Sequence, residues 1–170
     1  WKTTTFTRPA SSNLQVYELL VRDFVADRRY KTVADSLGYL KKLGINALEL
    51  MPVAEFSGND SWGYNPIFYT APDKAYGTKN DLKYLIDKCH ENGIAVIMDI
   101  VLNQADYENP YVKMYWDGAK PNATSPFFNP TATHPYSVFF DFNHESVHTQ
   151  WLVDAVTKFW LEEYKIDGYR

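Results

Sequence analysis

The sequence has one cysteine, no excess of positive charge and no long apolar run. Cys89 has no partner for a disulfide within the chain, and it lies on the apolar side of a helical pattern, which predicts a buried, unreactive thiol. The net charge of -4 disfavours nucleic acid as a partner. No apolar run approaches the ~18 residues of a membrane span, and no signal-peptide pattern is present, which leaves the compartment open.

Aromatic residues, by contrast, are abundant. They make up 16% of the 170 residues and include thirteen tyrosines and ten phenylalanines. Tyrosine and tryptophan in loops often form contact surfaces, because their rings are apolar and their polar atoms can still bind. The length suffices for one domain with a core but is short for an enzyme built on a large barrel.

Three segments repeat one pattern, an amphipathic helix followed by an apolar strand. They are KTVADSLGYLKKLGINALEL, TKNDLKYLIDKCHENGIAVIMDIVL and SVHTQWLVDAVTKFWLEEYKIDGYR. In the first two, Gly44 or Gly93 ends the helix and an isoleucine begins the strand, which is predicted over 45–50 and 94–102. The third strand is predicted over 166–169, and an earlier strand lies within QVYELLVRDF.

Capping boxes are predicted at the start of two of these helices. Thr32 with Asp35, and Thr78 with Asp81, have the spacing at which the two side chains bond each other's backbone N–H groups. The apolar face of the first helix is predicted to consist of Val33, Leu37, Leu40 and Leu43.

Apolar strands joined by amphipathic helices predict a parallel α/β sheet covered by helices. Two architectures fit: an open doubly wound sheet, or part of a (β/α)₈ barrel. The helix-to-strand turns are tight, whereas the connections after strands are long, over 52–77 and 103–145. Such long loops are usually functional, and they lie at the carboxyl ends of the strands, where both architectures bind ligands. No G-x-G-x-x-G follows the first strand, which disfavours a dinucleotide site.

The first long loop carries aromatic candidates for a sugar-binding surface. A flat ring suits the apolar face of a sugar, and neighbouring amides and carboxylates can bind its hydroxyls. Tyr64 and Trp62 are the candidates for substrate binding. The alternative is that the rings close the loop onto the sheet, and this explanation is favoured for Trp62 and Tyr76.

Polar residues interrupt or end the later strands. Asp99 lies within an apolar strand, which is costly unless the carboxylate is paired, so it is either functional or a structural anchor. Asn103 and Gln104 follow at the carboxyl end of that strand. Arg170 ends the last strand and can hold a carboxylate ionised; its alternative is a surface ion pair. His144 and His148 are four residues apart, but without H-E-x-x-H a zinc site is disfavoured.

Six segments, in this order, resemble the front half of the catalytic barrel of the α-amylase family, glycoside hydrolase family 13. They are VYELLVRDF, GINALELMPVAEF, SWGYNP, APDKAYGT, GIAVIMDIVLNQ and FWLEEYKIDGYR, and they span about 16–170. The resemblance implies a (β/α)₈ barrel of which this chain carries about the first four strands, with a short inserted subdomain at about 103–145. It also implies retaining hydrolysis of α-glucosidic bonds in starch, glycogen or maltooligosaccharides.

The resemblance also implies roles for individual residues. Tyr64 stacks beneath the sugar, Asp99 orders the site, Asn103 supports it and ligates calcium, and Arg170 pairs with an aspartate nucleophile two positions further on. All three catalytic carboxylates are then expected beyond residue 170. Gln104 stands where the family usually has a histidine that holds the sugar; glutamine can still donate and accept hydrogen bonds but carries no charge.

Three alternatives remain open at this point. They are a branching or transglycosylating enzyme, a non-catalytic carbohydrate-binding homologue, and an open α/β binding protein. A half-barrel would expose unpaired strand edges, so residues 1–170 by themselves are expected to be inactive on starch and to need the rest of a barrel, or self-association, for stability.

Overall fold

A parallel sheet forms the centre of the protein, seen in a computed structural model that describes residues 1–170. The strands are β1 (Val16–Leu19), β2 (Ala47–Leu50), β3 (Ala54–Phe56), β4 (Pro66–Pro72), β5 (Ala95–Met98), β6 (Gln104–Ala105), β7 (Phe140–Asp141) and β8 (Gly168–Tyr169). The helices are α1 (Val21–Phe24), α2 (Tyr30–Asp35), α3 (Leu37–Lys42), α4 (Lys79–Glu91), α5 (Pro110–Met114) and α6 (Val147–Glu163). The central sheet has the order β1-β2-β5-β8, with every neighbouring pair parallel.

The two faces of this sheet differ in their surroundings. One face carries Leu19, Leu48, Leu50 and Val96, which are buried in a core shared with α3, α4 and α6. The other face carries the register row Glu18, Glu49, Ile97 and Gly168, none of which is fully buried. A doubly wound sheet has helices on both faces, whereas a barrel strand turns one face inward. The arrangement is that of four consecutive strands of a (β/α)₈ barrel.

The helix stops and one of the two predicted capping boxes are confirmed. Gly44 and Gly93 have φ of +83° and +75°, a left-handed conformation that glycine adopts without steric cost. Thr78 caps α4: its hydroxyl accepts from the Asp81 N–H, and the Asp81 carboxylate accepts from the Thr78 N–H at 2.9 Å. The local sequence is sufficient here because every partner lies within one helical turn.

The capping box predicted at Thr32 is wrong. Helix α2 begins earlier, at Tyr30, so Thr32 lies inside the helix and its hydroxyl donates to the Asp27 carboxylate at 2.6 Å. The helix also ends at Asp35, where a turn separates it from α3. Val33, Leu37 and Leu40 are buried as predicted, but α3 ends at Lys42, and Leu43, which follows it, is 51% exposed.

The strands are shorter than their apolar runs. In QVYELLVRDF only Val16–Leu19 is extended, and Val21–Phe24 turns into the helix α1. Similarly, β5 covers Ala95–Met98 of the predicted 94–102, and β8 covers Gly168–Tyr169 of the predicted 166–169. Single backbone bonds continue past the paired residues, from the Asp99 N–H to the Leu50 carbonyl and from the Ile100 N–H to the Arg170 carbonyl.

Both long loops contain structure of their own. The first forms the antiparallel hairpin β3–β4, which is fastened to α6 because the buried Trp160 indole N–H donates to the Tyr69 carbonyl at 2.7 Å. The second contains α5 and the short antiparallel pair β6–β7. Tyr76 is 1% exposed, which agrees with a packing role for that ring.

A buried pair joins the start of β8 to the end of α4. His90 Nε2 lies 2.8 Å from Asp167 Oδ2, which also accepts from the Val96 N–H, and the ring of Phe6 stacks on His90 at 4.2 Å. Cys89, beside it, is fully buried as predicted, and burial raises the pKa of its thiol. None of the helices has the combination of length and apolarity that crossing a membrane requires.

Candidate active site

Three of the predicted residues meet at the carboxyl ends of the central strands, on the open face of the sheet. The Tyr64 hydroxyl donates to Asp99 Oδ2 at 2.7 Å, and Arg170 Nη1 donates to the same oxygen at 2.6 Å. Arg170 Nη1 also lies 3.4 Å from the Tyr64 hydroxyl. One carboxylate oxygen therefore fixes an aromatic ring from the first long loop and a guanidinium from the end of β8.

The position of Asp99 follows from the strand ladder. Its N–H donates to the Leu50 carbonyl at 2.9 Å, one residue beyond the last pair of β2 and β5, and the residue is 4% exposed. A buried carboxylate needs such partners, because an unpaired charge away from water is costly. The bond to Tyr64 and the charge of Asp99 raise the pKa of the Arg170 guanidinium.

Gly63 allows the loop to adopt the backbone conformation that places Tyr64 beside Asp99. Gly63 has φ of +92°, and a Cβ built there would lie 2.6 Å from the Pro52 carbonyl oxygen. The backbone of the loop therefore packs directly against the chain leaving β2. Burial is the largest cause that raises the pKa of the Tyr64 phenol, and the bond to Asp99 is the second. The hydroxyl therefore keeps its proton at neutral pH and can donate a hydrogen bond.

Gln104 lies beside Tyr64 and holds its backbone. The residue is 5% exposed; its Nε2 donates to the Tyr64 carbonyl at 2.6 Å, and its Oε1 accepts from Asn103 Nδ2 at 2.9 Å. Both ends of the amide thus have protein partners. A direct contact between Gln104 and a sugar stays a prediction.

Trp62 is separate from this cluster. Its side chain is 60% exposed on the loop that precedes Tyr64 and does not close that loop onto the sheet. The ring is available to a ligand, and its role in substrate binding stays a prediction.

Comparison with known proteins decides the family. The family model described as the alpha amylase catalytic domain matches residues 29–138, well over half of the chain. The chain belongs to the α-amylase family. A malto-oligosyltrehalose trehalohydrolase of Saccharolobus solfataricus is 31% identical over 160 residues, which are 93% of this chain and 27% of that protein. A 1,4-α-glucan branching enzyme of Halothermothrix orenii is 36% identical over 142 residues, or 83% of this chain and 22% of that enzyme.

Solved structures of the α-amylase family agree with the fold. A candidate α-amylase from Salmonella typhimurium superposes with a TM-score of 0.87 at 30% identity, covering 100% of this chain and 27% of that one. A maltogenic α-amylase from Thermotoga neapolitana gives 0.78 at 28% identity, covering 94% and 39%. The predicted (β/α)₈ fold class is confirmed, and the open doubly wound sheet is excluded. The chain spans about a quarter of the length of the curated relatives it matches.

Calcium at Asn103, expected for an α-amylase relative, has only partial support from the side chains. Asn103 shares a pocket with Asp141, and calcium prefers such oxygen ligands, six to eight of them. However, the Asp141 carboxylate already accepts from Asn129 Nδ2 at 2.8 Å and from His134 Nε2 at 3.2 Å. Both Asp141 oxygens already accept hydrogen bonds from the protein, so these residues do not form a set of free ligands for calcium. The calcium site stays a prediction.

Two acidic residues that were not predicted from the sequence lie beside Asp99. Glu18 and Glu49 are cross-strand neighbours on β1 and β2, and their carboxylates lie within 4.8 Å of each other and of Asp99. Arg170 Nε is 3.5 Å from Glu49 Oε1. The signal was present: in VYELL and ALELM a glutamate interrupts each apolar run. His144 and His148 belong to no such cluster of ligating groups.

Proposed function

We propose that the protein acts on α-glucans as a retaining glycoside hydrolase, cleaving α-1,4-glucosidic bonds of starch, glycogen or maltooligosaccharides. The observation that carries this proposal is the direct contact of Tyr64, Asp99 and Arg170 at the carboxyl ends of parallel strands in a chain of the α-amylase family. Relatives named as a trehalohydrolase and as branching enzymes support the glucan class.

Each of the three residues has a role in the proposed mechanism. The Tyr64 ring, held by its hydroxyl, offers a face on which a sugar can stack. Asp99 fixes that ring and the guanidinium together. Arg170 is bonded to Asp99 through Nη1, and its second terminal nitrogen, Nη2, can bind a nucleophilic carboxylate and keep it ionised.

The reacting groups themselves are assigned by the family resemblance. A retaining glycosidase needs a nucleophile and an acid/base ~5–5.5 Å apart, and forms a covalent glycosyl intermediate. We place residues 1–170 in the amino-terminal part of one catalytic barrel, with 103–145 as an inserted segment and the nucleophile two positions beyond Arg170. Residues 1–170 then supply the groups that orient the sugar and the nucleophile.

Two alternatives are favoured by specific observations. Transfer with branching is favoured by relatives named as branching enzymes, one of them 36% identical over 83% of this chain. A non-catalytic carbohydrate-binding role is favoured by Gln104, which replaces a histidine of the family and is occupied by contacts within the protein.

The test uses the protein as its gene encodes it, incubated with maltoheptaose. Shorter sugars released first as the α-anomer, detected by proton NMR, are the expected result. Tyr64→Ala is expected to weaken binding about 10-fold, because it removes a stacking face, whereas Tyr136→Ala, at an 88% exposed ring, leaves binding unchanged. New α-1,6 linkages would support branching instead, and binding without turnover would support the binding homologue. Neither binding nor turnover of any α-glucan would reject the proposal.

A further inference from the structure

Glu49 gives the Arg170 guanidinium a second anchor. Arg170 Nη1 binds Asp99 Oδ2 at 2.6 Å, and Nε lies 3.5 Å from Glu49 Oε1. The Glu49 contact is an ion pair and not a hydrogen bond, so Glu49 acts on the guanidinium through its charge. A guanidinium bonded at one nitrogen can rotate about that bond, and the charge of Glu49 beside Nε opposes this rotation. Together the two carboxylates determine the orientation of the guanidinium, and with it the direction of its other terminal nitrogen, Nη2.

The strand that carries Glu49 is well suited to this task. Strand β2 lies between β1 and β5 and is hydrogen-bonded on both sides, so its backbone is fixed. The Glu49 side chain is 15% exposed, which restricts its own rotamers. An anchor on a rigid element positions a group more precisely than one on a loop.

Glu18 sets the electrostatic environment of this anchor. The groups that face Glu49 are Glu18 from β1, Asp99 from the end of β5 and Arg170 from the end of β8. Three carboxylates thus lie together, and two of them, Asp99 and Glu49, contact the Arg170 guanidinium. Burial, and then the charge of Glu18, raise the pKa of the Glu49 carboxyl, while Arg170 opposes that rise.

We propose that Glu49 is a positioning residue that orients Arg170 toward the nucleophile, with Glu18 tuning the charge of Glu49. This inference rests on the proposed glycosidase function. When Glu49 takes up a proton at low pH, its attraction to Arg170 weakens and the guanidinium is free to rotate. The acid limb of the activity profile is therefore expected to include the titration of Glu49.

The kinetic test compares four variants of the encoded protein on maltoheptaose. Glu49→Ala is expected to lower kcat about 30-fold with KM within about twofold, because misplacing a reacting group acts on the chemical step. Glu49→Gln, which keeps an oxygen near Nε but loses the charge, is expected to lose about fivefold. Glu163→Gln removes a comparable ion pair, that with Lys83 on the outer helical layer, and serves as the control. Glu18→Gln is expected to move the acid limb of the activity profile to lower pH, because it removes a charge that raises the pKa of Glu49.

A second readout does not require activity. The nitrogen-15 resonance of Arg170 Nε is expected to shift in Glu49→Ala and to stay in place in Glu163→Gln. A carbon-13 titration of the Glu49 carboxyl is expected to give a lower pKa in Glu18→Gln than in the wild type.

The outcomes separate the two ideas. An active wild type with an unchanged kcat in Glu49→Ala overturns the positioning role. An inactive wild type rejects the proposed function, and the Arg170 resonance then decides the inference: an unmoved signal in Glu49→Ala overturns it, and a moved signal supports the anchor.

Discussion

Arg170 and Asp99 are 71 positions apart in the chain, yet their side chains meet at 2.6 Å across the carboxyl ends of two adjacent parallel strands. The contact exists because β5 and β8 pair in parallel, with Met98 opposite Tyr169, which brings the residues that follow them to the same edge. The partners are oppositely charged, and the carboxylate is buried. Such a charge-assisted bond fixes both side chains.

Loss of the Asp99 carboxylate should release both of its partners. Asp99→Ala is expected to lower kcat/KM on maltooligosaccharides about 100-fold, because the ring of Tyr64 and the guanidinium of Arg170 lose their shared acceptor. Asp154→Ala, at an exposed position on α6, should leave kcat/KM unchanged. Equal activity in both variants would show that the shared oxygen has no part in the reaction.

Two glycines with positive φ should respond differently to alanine. Gly63→Ala places a Cβ 2.6 Å from the Pro52 carbonyl oxygen, so the loop and Tyr64 must shift. Gly118 has φ of +105°, but a Cβ added there would meet nothing within 4 Å, so Gly118→Ala incurs only the backbone strain, about 1 kcal/mol. We expect Gly63→Ala to lower the free energy of unfolding by about 3 kcal/mol and to weaken glucan binding. Urea denaturation and calorimetry measure the two effects.

Two buried tyrosine hydroxyls have no hydrogen-bond partner, those of Tyr30 and Tyr76. Replacing either residue by phenylalanine removes an unsatisfied polar atom, so the free energy of unfolding should stay the same or rise by about 1 kcal/mol. The matched control is Tyr169→Phe, which deletes the hydroxyl that donates to the Thr157 carbonyl and should destabilise the protein by about 1 kcal/mol. A loss of stability in Tyr30→Phe similar to that in the control would reveal a partner such as an ordered water.

Only one of the two predicted capping boxes, that at Thr78, is expected to contribute to the stability of its helix. Thr78→Ala removes the acceptor for the Asp81 N–H at the start of α4 and should cost about 1 kcal/mol. Thr32→Ala, inside α2, loses only an exposed bond to Asp27 and should cost less than half of that. Thermal unfolding of the two variants checks the order, and a reversed order would contradict the helix start at Tyr30.

Alkaline pH should weaken the fold through its buried phenols. Burial raises the pKa of Tyr76 and of Tyr164 to about 12, whereas tyrosine in an unfolded chain titrates near pH ~10. The folded state therefore binds these protons more tightly, so their contribution to stability is complete below pH ~10 and is lost as the pH rises toward 12. Circular dichroism followed with phenolate absorbance should show unfolding and ionisation together. Ionisation of these phenols near pH 10 in a protein that stays folded would contradict this.

Much of the fold could be predicted from local patterns. Gly44 and Gly93 mark helix ends because a left-handed residue there is a local requirement, and the box at Thr78 is complete within one turn. The pattern at Thr32 has the same letters but fails, because α2 begins earlier, at Tyr30, a side chain buried in the core. Packing decided that boundary, and no short window of sequence contains the residues that pack.

The sequence by itself determined the repeating helix and strand units, the family resemblance and the candidates Tyr64, Asp99 and Arg170. Periodicity and short motifs record these properties directly. Only the tertiary structure decided that Glu18 and Glu49 lie beside Asp99, and that the Gln104 amide is hydrogen-bonded to the Tyr64 carbonyl. The physical reason is that strand register brings together residues from distant parts of the chain, and the charge of a carboxylate depends on neighbours that the linear sequence does not bring near it.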